Sequence, residues 1–199
     1  MKTDIAPETM TNLWYAEVSP DTEITQGDLI MGCPVLEWSK PGADYTPESL
    51  KAICNGISAD VVVMTQACDL AQKKVDNVIV CAHFSLSQYK TNWDETKKAK
   101  GQTPNVKDWR NLCNDICDGY RWHLSMLNSK DDGDLTIERR IVDFHYIYSL
   151  PIDFLQSFVK SQNTTRLTLL PPYREHLSQA FARFFMRVGL PVNISKSWD

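Results

Sequence analysis

Long apolar runs are missing from this chain. No segment approaches the roughly 18 consecutive apolar residues that a membrane-spanning helix needs. Residues 1–10 are polar and carry Asp4 and Glu8 where a secretory leader would place an apolar stretch. The expectation is a cytoplasmic protein with no membrane contact. Internal repeats and low-complexity tracts are also absent, which excludes solenoids, collagen-like arrays and whole-chain disorder. Arginine is withheld from the first half, the first being Arg110, and no second Cys or His pair stands ready to complete a metal site. What is present is ordinary: 199 residues, 43% hydrophobic and 23% charged. That is enough for one domain, residues 1–199, burying roughly 70% of its unfolded surface.

The net charge of -4 hides a polarity along the chain. Residues 1–60 hold ten acids against Lys2, Lys40 and Lys51, whereas residues 161–198 hold Arg166, Arg174, Arg183, Arg187 and Lys196 against Glu175. The two ends either neutralise each other within the fold or leave a thin basic face for an anionic partner. The six cysteines are expected to be reduced thiols. Cys113 and Cys117 are spaced to share one helix face, as small buried hydrophobes or as half of a soft-metal site; no metal or cofactor is assigned.

Periodicity is short, which favours strands. Residues 26–31 (QGDLIM) turn into a strand, and residues 61–65 (VVVMT) and 78–82 (VIVCA) are β-branched runs of the kind buried on both faces. Residues 120–126 alternate, with Tyr120, Trp122, Leu124 and Met126 opposite Arg121, His123 and Ser125. A turn at Asp132 and Gly133 leads to residues 141–148, where Val142, Phe144, Tyr146 and Tyr148 oppose Asp143 and His145. Residues 87–119 read as an insertion, a Lys-rich loop and then a helix. Residues 151–159 predict a helix burying Phe154, Leu155 and Phe158, and residues 172–189 a longer one striped by Leu177, Phe181, Phe184 and Val188. The order implies an α+β, mainly β, fold and excludes βαβ repeats.

The strand opening Gly27, Asp28, Leu29, Ile30, the later run Val61 to Thr65 and a closing helix ending Val188, Gly189, Leu190 resemble the MazF/PemK family. Thr65-Gln66-Ala67-Cys68-Asp69-Leu70 with Pro172-Tyr173-Arg174-Glu175-His176-Leu177 resembles an uncharacterised bacterial branch near that family, found around defence and stress modules. The resemblance implies a small Src-homology-3-like barrel whose toxin members cut single-stranded RNA, here with a helical insertion and a C-terminal amphipathic helix. Thr65 falls at the toxins' Ser/Thr position. Their arginine in the preceding loop has no counterpart, since residues 37–60 offer only Lys40 and Lys51. Lysine can supply charge there but not a bidentate fork.

The resemblance therefore implies a catalytically degenerate member of a bacterial or phage toxin-antitoxin, stress or defence module. It would bind a protein partner (antitoxin-like or a defence-system subunit) or single-stranded RNA, with a homodimer as one assembly open to it. Two enzyme readings stand beside it. One is an endoribonuclease using Thr65 with Lys51 or a hairpin histidine. The other is a thiol enzyme or redox sensor in which Cys68 meets His83 or His123, with Asp69 either beside the thiol or capping the turn. Gln66 is placed to bind a partner's backbone or a base edge. Arg121, His123, Asp143 and His145 are expected on one face, either solvated or competent for proton transfer. Arg174, Arg183 and Arg187 with His176 form a partly basic helix face.

Overall fold

The computed structural model describes residues 13–38, 46–48 and 53–186. Lys51, Arg187 and the helix end at residues 187–190 lie outside the described residues. The elements run β1 (Tyr15–Val18), β2 (Asp28–Trp38), β3 (Cys54–Val63), α1 (Ala67–Ala71), β4 (Asn77–Ser85), α2 (Leu86–Ala99), α3 (Val106–Cys117), β5 (Leu124–Leu127), β6 (Arg140–Pro151), α4 (Ile152–Gln162), β7 (Arg166–Leu169) and α5 (Tyr173–Phe185). Seven strands form one sheet in the order β1-β7-β2-β3-β4-β6-β5, every pairing antiparallel. The fold is α+β, dominated by this sheet.

The β-branched runs set its centre. Val61 pairs with Ala82, Val62 with Cys81 and Val63 with Val80. Alternation sends Val61, Val63, Val78 and Val80 to one core with Leu155 and Val159 of α4. Val62 and Cys81 go to the other, with Val142, Phe144 and Leu177 of α5. Each helix stripe thus covers one face of a sheet buried on both sides.

The sheet is not closed into a barrel. Its two edge strands nevertheless contribute Tyr15 and Leu127 to the same core, and side chains bridge the gap. The Tyr15 hydroxyl donates to the Asn128 carbonyl at 2.7 Å, and Lys130 Nζ donates to Glu17 Oε1 at 2.8 Å. Two irregularities bend the strands. Gly32, at φ +63°, sits in the shift between Ile30 and Cys33 of β2. In β6, Ile147 pairs with Cys81 and Val142 with His83, so residues 143–146 stand against Ala82 alone.

Several expectations are corrected. Residues 87–119 begin with a helix: Ser85 Oγ accepts from Gln88 N at 3.1 Å, Lys90 and Asp94 pair at i,i+4, and Lys97 and Lys98 fall in the last turn, where cations suit the carbonyl end. Residues 121–123 are turn, leaving β5 only four residues. The irregularity in β6 ends the expected alternation after Phe144, so Tyr146 is exposed and Tyr148 packs on the α4 side. In α4, Leu155 and Val159 are the buried pair and Phe154 is exposed. Strands β1 and β7 have no counterpart among the expected elements; at four residues each they are too short to carry a period.

Candidate functional site

Thr65 lies just beyond β3, and its hydroxyl is committed. Thr65 Oγ1 accepts from Ile79 N at 2.7 Å, while Met64 N donates to the Ile79 carbonyl at 2.9 Å. The side chain thus extends the β3–β4 ladder by one bond. Gln66 occupies the N-cap position of α1 without a side-chain capping bond. Cys68 is exposed, its Sγ lying 3.7 Å from both Gln66 Oε1 and Asp69 Oδ1. Asp69 in turn sits 3.9 Å from Lys74 Nζ. Gln66, Cys68 and Asp69 therefore contact one another and a lysine, and no imidazole bonds the thiol among the described residues.

A guanidinium does reach β3, from far along the chain. Arg140, buried at the start of β6, is ion-paired to Asp60 of β3 through Nη2 and donates from Nε to His83 Nδ1 at 2.6 Å. Burial, and next the Arg140 charge, drive the His83 pKa down against the opposing Val61 carbonyl, so the ring is neutral. Asp60 Oδ1 also accepts from Gly32 N at 2.9 Å, tying the bend in β2 to the same cluster. The toxins' loop arginine is still missing here, but an arginine distant in sequence does neighbour this strand. The consequence for Thr65 is unchanged, because Asp60 precedes Thr65 by five residues, ~16 Å along an extended chain.

The hairpin brings together three of its four expected polar residues. Asp143 Oδ1 lies 3.0 Å from His145 Nδ1 and accepts from His145 N at 3.0 Å. The rings of His123 and His145 are 4.6 Å apart, and Phe184 of α5 meets His145 edge-on at 5.4 Å. The carboxylate orients one imidazole while the second lies against it, an arrangement able to pass a proton. Arg121 is not part of it; its Nη2 pairs with Asp115 of α3 at 2.8 Å. The histidines do not converge with Thr65 either. Ile79 pairs with Ser149, four residues along β6 from His145, ~13 Å in strand terms.

A furrow runs from the histidines along α2. Three adjoining hollows of about 420, 270 and 310 Å³ share Tyr89 and Trp93, then Phe84, Asn92 and Tyr146. His123 and Asp108 line one end, Asp143 the middle, and Asp60, Glu37 and Tyr148 the other end. Burial, then the charge of Asp143, pushes the Tyr89 phenol up to about 12. The furrow walls are aromatic and acidic, with Lys97 and Arg121 at the His123 end.

The basic face expected on α5 is dispersed. Arg174 pairs with Glu175 at 2.6 Å and packs its stem against Gly27, Arg183 is exposed, and His176 lines a different cleft. No group of three or more potential metal ligands occurs among the described residues, Cys113 and Cys117 included. No helix among the described residues is long and apolar enough to cross a membrane. The Asp60–Arg140–His83 cluster has no sequence signature, since its members come from three strands brought into register only by pairing. Comparison of the chain with protein-family profiles, with curated proteins and with solved structures finds no match in any of the three.

Proposed function

We propose that this chain is a MazF/PemK-like small-barrel protein of a bacterial or phage toxin-antitoxin, stress or defence module, acting by binding a protein partner and lacking toxin-type catalysis. The observation that carries the reading is the furrow under α2. Tyr89, Trp93, Phe84 and Tyr146 offer apolar contact, while Glu37, Asp108 and Asp143 outnumber Lys97; Asp60 and Arg121 are taken up by Arg140 and Asp115, which leaves a net negative wall. Such a wall repels a phosphate backbone and suits a basic, apolar polypeptide segment. The engaged Thr65 hydroxyl and the pinned Arg140 support the absence of a toxin-type centre. A Src-homology-3-like curl is supported by the shared core of the two edge strands and their side-chain bridges.

A second reading, an endoribonuclease, is favoured by one observation: the Asp143–His145–His123 arrangement, of which His123 lines one end of the furrow and Asp143 its middle. One pair of assays separates them. A short labelled peptide rich in lysine and leucine should bind by fluorescence anisotropy, and Trp93→Ala and Tyr146→Ala should each weaken it about tenfold. Mixed-sequence RNA should stay intact. Cuts that vanish in His145→Ala and His123→Ala would replace the first reading by the second, and cuts that vanish in Thr65→Ala would restore the toxin-type centre.

A further inference from the structure

A cavity larger than any hollow of the furrow lies apart from both the strand end and the furrow. It lies on the other side of α3, between that helix, β5 and the start of α5, and measures about 740 Å³. That is within the range of small-molecule sites. Its walls include Arg110, Arg139 and His176 and, among the described residues, not one Asp or Glu. In a protein with four more acids than bases, this is a local reversal of charge.

The two arginines also differ from four of the others, Arg183 on α5 being likewise without an ion pair among the described residues. Arg121, Arg140, Arg166 and Arg174 are each held by a carboxylate: Asp115, Asp60, Asp28 and Glu175. Arg110 and Arg139 have no ion pair among the described residues, and Arg139 makes one long contact, Nε to Asn128 Oδ1 at 3.5 Å. Arg139 shares the cleft wall with Arg110 and Cys113. Unpaired guanidiniums on a carboxylate-free wall are suited to phosphate, which takes their planar fork in bidentate fashion.

The rest of the wall selects the remainder of the ligand. Trp14 and Trp109 both line the cleft, and each is braced from behind: Trp14 stacks on Tyr173 at 3.8 Å, and Trp109 packs on Trp93 at 5.5 Å. Braced indoles lose little freedom when a flat ring settles on them. We propose that this cleft binds a free nucleotide, its phosphates held by Arg110 and Arg139 and its base lying against the tryptophan wall. The assignment does not rest on the furrow reading, because α3 separates the two sites: Asp108 and Leu112 face the furrow, while Arg110 and Cys117 face the cleft.

Isothermal calorimetry with the nucleoside triphosphates, adenosine and pyrophosphate tests it. At least one triphosphate should bind saturably, and adenosine and pyrophosphate, each lacking half of the recognised chemistry, about tenfold more weakly or worse. Arg110→Ala and Arg139→Ala sit at exposed positions and should fold normally, each weakening the triphosphate about tenfold. A second readout needs no variant. Cys117 is exposed within the cleft, so saturating triphosphate should slow its alkylation while leaving that of Cys68, outside the cleft, unchanged. No saturable binding at millimolar concentration would overturn the proposal. So would binding that survives the double arginine variant or leaves Cys117 labelling unaltered. A short RNA oligomer that binds more tightly than every mononucleotide would assign the cleft to a strand and overturn it as well.

Discussion

Asp60→Ala is the substitution that most directly tests how the interior is held together. It removes the carboxylate that neutralises Arg140, whose side chain is 6% exposed while that of Asp60 is 28% exposed. Breaking a buried ion pair from one side costs about 3–5 kcal/mol. Asp60 is partly solvated and His83 Nδ1 still accepts from Arg140 Nε, so the lower end, about 3 kcal/mol, is expected. The bend at Gly32 also loses its acceptor. In a urea titration followed by tryptophan fluorescence, with a slope of about 2.5 kcal/mol per molar, the midpoint should fall by about 1.2 M. The double variant Asp60→Ala/Arg140→Met removes both charges and should recover about half the loss or more, because an apolar replacement of a buried pair is close to neutral. A single-variant loss below about 1 kcal/mol, the size of a surface pair, would refute a buried cation dependent on this carboxylate. A double variant no more stable than the single would refute it equally.

His83 is held neutral, its folded pKa lying below that of a free imidazole, so the unfolded chain binds the extra proton. The stability this confers is complete above about pH 6.5 and is lost as pH falls through that value, by up to about 1.4 kcal/mol per unit. Denaturation midpoints of the natural chain and His83→Gln between about pH 7 and pH 5 should converge on the acid side, and parallel curves would contradict it. Thr65→Val leaves Ile79 N without its acceptor; a loss of about 1 kcal/mol and faster amide exchange at Ile79 are expected. Gly27→Ala forces a side chain onto φ +88° with its Cβ 3.1 Å from Leu169 Cβ and 3.2 Å from Arg174 Cγ, and should cost about 2 kcal/mol by thermal or urea unfolding.

The elements legible in the sequence are those whose own composition decides them. The run Val61–Val63 is buried on both faces in the middle of the sheet, whereas its partner Val78–Val80 is buried on one face only at Ile79, which is 42% exposed, a correction to the expectation for residues 78–82. The stripe Leu177, Phe181, Phe184 likewise identified the face of α5 that covers Phe144. Where a partner decides, the sequence is silent. The four residues of β1 become a strand only by pairing with β7, and the exposure of Tyr146 follows from the mismatch between β4 and β6. The Lys-rich start of the insertion shows a further limit: α2 buries no residue completely, so it lacks the apolar stripe that marks α5. In the candidate sites, adjacency along a hairpin made the meeting of His123, Asp143 and His145 foreseeable. The meeting of Asp60, Arg140 and His83 depends on three strands in register, and that of Arg110 with Arg139 and His176 on helix packing, neither of which a local motif encodes.

The pairing of Tyr15 with Leu169 joins the first described strand to the last. During synthesis, Tyr15 leaves the ribosome long before its hydrogen-bonding neighbours exist, and the nascent chain carries an unmatched edge until more than 150 further residues have been added. Contacts this distant along the chain close slowly. The half-made protein is therefore exposed to edge-to-edge association for most of its translation, and slowing elongation would lengthen that interval without helping the sheet to finish.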